Sequence, residues 1–199
     1  MSDLQNDELQ ALVFKNRGAL LSVPAALLLA FGKPSAFSIA LGLPVALAGE
    51  LLRCWAVGYS GVTTRGDVVE APKLVTAGPY AHVRNPLYVG NFITALGFTI
   101  AFTGKNTSAT RTMLMLVGLG SMAAVYATIV PHEEQYLRSR FGEEFERYCE
   151  SVPPLVPQAQ PTHEPVGDWN ARVIVDAESK TFATFGVMLA GLAFKALRV

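Results

Sequence analysis

From Gly18 onward the sequence is a series of long apolar runs separated by short polar punctuation, and nothing else narrows its fold as much. The runs are Gly18–Phe31, Ser35 to about Gly61, Leu87–Phe102 and Thr112–Val130, with a fifth from Phe182 to Leu197. About 20 residues at ~1.5 Å rise cross a bilayer core. Backbone groups in lipid have to be satisfied within the segment, so such runs are helices. The first run is short for a span. It reaches the length when Ala11–Phe14 join it and Lys15 and Arg17 reach back to the interface, and Pro24 inside it predicts a kink. Residues 1–17 read as a polar lead, and Met1–Gln10 is acidic, unlike the basic start of a cleavable signal peptide. Gly32-Lys33-Pro34 and Gly104-Lys105-Asn106 are tight turns, and Pro131 marks the end of the fourth run.

The expected fold is an all-α integral membrane bundle of about five transmembrane helices with a short cytoplasmic helical segment. Hydrophobic residues make up 51% of the chain and charged residues 16%, too apolar a balance for an ordinary soluble domain. A formal net charge of zero excludes a nucleic-acid partner, which demands a basic face. Lys and Arg distribute roughly two to one in favour of the side that holds the N-terminus, which predicts a cytoplasmic N-terminus in a bacterial or archaeal inner membrane. Cys54 and Cys149 lie in unlike surroundings and form no disulfide framework. His82, His132 and His163 are too scattered for a metal site.

Two polar stretches interrupt this pattern. The first is Leu-Val-Thr-Ala-Gly-Pro-Tyr-Ala-His-Val-Arg-Asn-Pro-Leu-Tyr-Val-Gly, residues 74–90. Gly78-Pro79 marks a turn, and Asn85-Pro86 reads as a helix start with Asn85 as cap and Pro86 at the first helical position. The second, His132–Cys149, carries Glu133 and Glu134 and an aromatic stripe (Tyr136, Phe141, Phe145, Tyr148) at helical spacing, broken by Gly142 into two short helices. The third and fourth runs join the two stretches as an antiparallel hairpin, so the stretches should meet on the cytoplasmic side. Residues 62–77 form a polar connector with Thr63, Thr64, Arg65, Asp67 and Lys73; Val152–Pro165, with five prolines, forms an irregular ordered loop or linker; Asp168 is a candidate cap for the last helix. The segments divide as 1–73 (lead, hairpin, connector), 74–157 (core) and 158–199 (linker and last helix).

The paired stretches resemble the isoprenylcysteine carboxyl methyltransferases and the related phospholipid N-methyltransferases. The resemblance covers residues 74–157. It implies a small membrane enzyme that uses S-adenosyl-L-methionine, with a lipophilic substrate entering from the bilayer and a cytoplasm-facing cofactor pocket. The pocket it implies is built from Gly78, Pro79, Tyr80, His82, Val83, Arg84, Asn85, Pro86, Tyr88, Glu133, Glu134 and Tyr148. Arg84, Glu133 and Glu134 are the candidates for catalysis: Arg84 to grip the cofactor carboxylate, a glutamate to hold its ammonium or face the sulfonium. Tyr80, Tyr88 or Tyr148 would cover the adenine or the cation. Many members carry His where this chain has Asn85, and Tyr where it has Phe145; Asn85 does not titrate near neutrality. The first acceptor is a prenylcysteine-like carboxylate and the second an amine headgroup. A sterol-type reductase using reduced nicotinamide nucleotide and a non-catalytic scaffold or small transporter are the other readings.

Simpler roles stand beside these. Arg84 fits a positive-inside anchor, and Tyr80 and Tyr88 an aromatic belt. Glu133 and Glu134 fit a helix N-terminus after Pro131. Glu143, Glu144 and Glu146 fit a solvated face. Glu50 and Arg53, three residues apart near the end of the second run, pair on one face and snorkel. Ala183, Gly186 and Ala190 fit a close helix contact.

Overall fold

A computed structural model describes residues 2–61, 71–161 and 165–198. The connector's Thr63, Thr64, Arg65 and Asp67, and His163, lie outside the described residues. The expected helical bundle is what the chain forms. In order the helices are α1 (Ser2–Phe31), α2 (Ala36–Ser60), α3 (Pro86–Phe102), α4 (Ser108–Phe141), α5 (Glu143–Ser151) and α6 (Arg172–Leu197), with one 3₁₀ turn at Gly78–Ala81 before α3. By length and apolarity α1, α2, α4 and α6 can each cross a membrane; α3, with 17 residues, is a shorter apolar helix.

The two short turns lie together and are stitched. Lys33 N–H donates to Asn106 Oδ1 at 2.7 Å, Asn106 Nδ2 donates to the Phe31 carbonyl at 2.9 Å, and Lys105 N–H donates to the Lys33 carbonyl at 2.7 Å. Ser35 opens α2 with a reciprocal capping box through Ser38. These bonds set the hairpins α1–α2 and α3–α4 side by side.

The closest helix contact lies between α2 and α3. A Cβ on Gly97 would stand 2.2 Å from Ala46 N, and one on Gly42 2.4 Å from the Gly97 carbonyl, so only glycine lets the two backbones approach this far. The expectation that Ala183, Gly186 and Ala190 mediate close packing is corrected here. All three are exposed, and a Cβ at Gly186 would meet nothing within 4 Å. Helix α6 turns Met188 and Leu192 inward instead, onto Leu28, Phe98 and Phe102. On the other side Phe14 of α1 packs with Met122, Val125, Tyr126, Ile129 and Val130 of α4.

Three boundaries differ from the sequence reading. The polar lead is helical, because α1 begins at Ser2. Pro131 does not end α4, which runs ten residues further to Phe141. A helical proline forfeits one hydrogen bond and crowds the carbonyl four residues back. Burial of Ile129 and Val130 before it, and the ties of Glu133 and Glu134 after it, hold the helical path through that defect. Glu133 and Glu134 are therefore mid-helix residues, not an N-terminal pair. Asp168 caps nothing: it is exposed, α6 starts at Arg172, and the Arg172 N–H goes to Asn170 Oδ1 at 3.0 Å. The break at Gly142 is where it was expected, with φ +53°.

Candidate active site

Gly78 turns the chain into the site with φ +61°, a left-handed conformation that glycine adopts without strain, and a Cβ there would stand 2.2 Å from the Tyr59 ring. Pro79 and Ala81 are buried in the 3₁₀ turn, and Val83 is buried beside them. Pro86 takes the first position of α3 as expected. Asn85 stands at the cap position, but its side chain does not cap, which corrects the expectation. Its Nδ2 donates to the Pro154 carbonyl at 3.0 Å instead. The proline-rich segment offers that carbonyl because it lies along the motif as a strap. Arg84 N–H donates to the Pro153 carbonyl, Asn85 N–H to the Pro154 carbonyl, and Gln158 N–H to the His82 carbonyl, at 2.9–3.2 Å. His82 Nδ1 meets the Gln158 carbonyl at 2.9 Å.

The two polar stretches meet in space. Arg84 Nε and Nη2 both reach Glu134 Oε1, at 3.0 and 2.9 Å. Arg84 Nη1 donates to the carbonyls of Cys149 (3.2 Å) and Val152 (2.6 Å), the end of α5. One planar guanidinium thus joins the loop, α4 and the end of α5, a task that suits its fixed fork of donors. Four residues along α3, the Tyr88 hydroxyl donates to Glu133 Oε1 at 2.6 Å. Tyr148 on α5 donates its hydroxyl to the Tyr80 carbonyl at 2.7 Å. Burial pushes the Tyr80 hydroxyl up to about 12 and raises Tyr148 as well, so both stay neutral. Phe145 is buried with Leu74, Tyr148 and Val152, a dry position.

Helix α3 packs chiefly on α2 and α4 chiefly on α1, and a cavity of about 460 Å³ opens between α3, α4 and the strap. Arg84, Glu134 and Arg138 line its polar end; Phe92, Ala123, Ala127 and Val130 line its apolar wall; Pro154 and Leu155 close it from the strap. That volume lies within the range of small-molecule sites. Among the residues named from the sequence, only Arg84 and Glu134 line it. Gly78, Pro79, Tyr80, His82, Val83, Asn85, Pro86 and Tyr148 shape the loop behind Arg84, and Tyr88 and Glu133 form the adjoining pair.

Sequence reasoning missed Arg138, Asn91 and Tyr126. Arg138 pairs with Glu146 across the Gly142 break and also lines the cavity. Asn91 lies one turn beyond Leu87 inside an apolar helix, where a polar side chain is itself a signal. It also missed the partner of Arg53. Arg53 does not snorkel, which corrects that reading: its side chain is 6% exposed and is bound by Glu178 of α6, fully buried. Glu50 Oε2 lies 3.9 Å from Arg53 Nε.

Comparison with known proteins places this site in context. The phospholipid methyltransferase family matches residues 37–144, more than half of the chain. Protein-S-isoprenylcysteine O-methyltransferase of Schizosaccharomyces pombe is 42% identical over 87 residues, 42% of this chain and 34% of that protein. Protein-S-isoprenylcysteine O-methyltransferase B of Arabidopsis thaliana is 29% identical over 122 residues, 58% of this chain and 57% of that protein. A nickel-cobalt-cadmium resistance protein of Alcaligenes xylosoxydans is 31% identical over 118 residues, 59% of this chain and 47% of that protein. The chain thus spans between a third and somewhat over half the length of these relatives. No solved structure matches it.

Proposed function

The chain belongs to the phospholipid methyltransferase family, and from that premise we propose that it is a membrane-embedded, S-adenosylmethionine-dependent methyltransferase whose acceptor is the carboxylate of a prenylcysteine-like lipid. One observation carries the reading: a cavity whose polar end holds Arg84, Arg138 and Glu134 continues into an apolar wall on α3 and α4. A zwitterionic donor and an amphiphilic acceptor need that pairing of surfaces. The names of the two methyltransferase relatives favour the carboxylate over an amine headgroup.

The residues fit the cofactor. S-Adenosylmethionine, when bound, supplies a methyl group already activated on a sulfonium, so the protein's share is positioning. Both Arg84 contacts fall on Glu134 Oε1, and Oε2 is the oxygen assigned to the cofactor's ammonium. Arg84 holds three protein partners, so its role is to aim Glu134. Arg138, half exposed at the cavity, takes the cofactor's carboxylate. Tyr88 fixes Glu133 beside this pair. A carboxylate acceptor arrives deprotonated, so no residue has to remove a proton. Phe92, Ala123 and Ala127 give the acceptor's chain a dry wall that excludes water from the transfer. The site faces the cytoplasm in this reading, the orientation that the distribution of Lys and Arg favours.

The test is calorimetric titration of the detergent-purified protein with S-adenosylhomocysteine, followed by labelled methyl transfer into a prenylcysteine and into a total lipid extract. Saturable binding with label in the prenylcysteine is expected. A flat titration refutes the reading; label in the lipid extract alone moves the acceptor to a headgroup amine. A maleimide applied outside intact cells should label a cysteine introduced at position 105 and not one at 138; the reverse overturns the orientation.

A further inference from the structure

A second polar assembly crosses the middle of the bundle and ends at the site. Glu178 of α6 accepts from Arg53 Nη2 of α2 with both oxygens, each at 2.9 Å. Arg53 Nη1 donates to Asn91 Oδ1 on α3. A guanidinium offers donors only, so it dictates that the Asn91 amide presents its oxygen to Arg53. The amide nitrogen is thereby turned to Tyr126 on α4, whose hydroxyl oxygen accepts at 2.7 Å. The Tyr126 ring lies against the Tyr88 ring with centroids 4.3 Å apart, and Tyr88 donates to Glu133. The hydrogen-bonded links are short and directional, and the two residues at the centre are buried: Tyr126 is 2% exposed and Arg53 5%.

We propose that Glu178 is a positioning residue for the site: by holding Arg53 it orients the Asn91 amide, and through Tyr126 and Tyr88 it holds the Glu133 carboxylate in place. The inference rests on the methyltransferase reading in so far as Glu133 serves the ligand. Glu178 lies outside the residues that match the family, so helix α6 adds to this chain a support that residues 37–144 do not contain. A pair that merely cancelled charge needs no third partner. Here the guanidinium also sets the sense of an amide; donor and acceptor matching carries that sense to the Tyr126 hydroxyl, and the contact of the Tyr126 and Tyr88 rings carries the position on to the site.

The experiment compares the wild-type chain, Glu178→Gln and the double variant Arg53→Met with Glu178→Leu. The readouts are thermal unfolding in detergent, calorimetric binding of S-adenosylhomocysteine, and the ¹⁹F resonance of 3-fluorotyrosine placed at position 88. Glu178→Gln should weaken binding about tenfold and shift the resonance. The double variant removes the pair but leaves Glu50 without its arginine, so unfolding temperature should recover in part, while binding and resonance stay altered because Asn91 has lost its donor. Full recovery of all three in the double variant overturns the proposal and leaves a structural pair. So does an unshifted resonance in folded Glu178→Gln protein. A resonance that shifts in a protein whose wild type binds no S-adenosylhomocysteine refutes the methyltransferase reading and keeps the positioning of Tyr88.

Discussion

Two arginine–carboxylate pairs tie the helices together, and they differ in what water can reach. The Arg53 and Glu178 side chains are 6% and 0% exposed; those of Arg84 and Glu134 are 12% and 17% exposed and border a cavity. At the first pair both carboxylate oxygens are taken by one guanidinium nitrogen. At the second, two guanidinium nitrogens converge on one oxygen. The closed pair is sealed inside the bundle and the open one borders the proposed site. Desolvation explains the division: a charge without water needs its whole coordination from the protein, whereas one at a cavity edge keeps a direction for a ligand. A third pair, Arg138 with Glu146, is 48% and 49% exposed and marks the solvated limit.

Substitutions along this gradient test it. Arg53→Ala should have the largest effect, about 3–5 kcal/mol lost in unfolding free energy, because Glu178 is left charged and dry. A loss below about 1 kcal/mol would place the pair with surface bridges and break the comparison. Arg84→Ala should be next, at about 2–3 kcal/mol with at least tenfold weaker S-adenosylhomocysteine binding, since two carbonyls and Glu134 lose their donor together. Arg84→Lys should recover little of the binding, because a point charge cannot reproduce the fork. Tyr88→Phe should remove about 1 kcal/mol and a severalfold share of the affinity, measured by chemical unfolding and calorimetry. Arg138→Gln should leave the unfolding curve unchanged and still weaken the ligand. Loss of stability without loss of binding would assign Arg138 to structure.

Much of this was legible along the chain, and the parts that were not share a cause. Apolar runs, Gly78-Pro79, Asn85-Pro86 and Gly142 announced spans, turn, helix start and break through their own backbone chemistry. The meeting of Arg84 with Glu134 followed from a hairpin that returns the chain to the level it left. Pro131 misled because its local preference for ending a helix was weaker than the contacts on both sides of it. Asn85 misled because capping competed with a strap carbonyl 69 residues away and lost. Ala183, Gly186 and Ala190 have the composition of a close contact, yet α6 rotates Met188 and Leu192 inward.

By itself the sequence determined that this chain lives in a bilayer, that it is helical, and that two polar stretches face one another across one hairpin. Those properties follow from hydropathy and from residues acting on their own backbone. Packing between distant segments settled that Arg53 sits in a buried ion pair and that the strap lines a cavity. The carboxylate that pairs with Arg53 lies 125 residues away on another helix, and no local pattern encodes which of several acidic residues a buried guanidinium will meet.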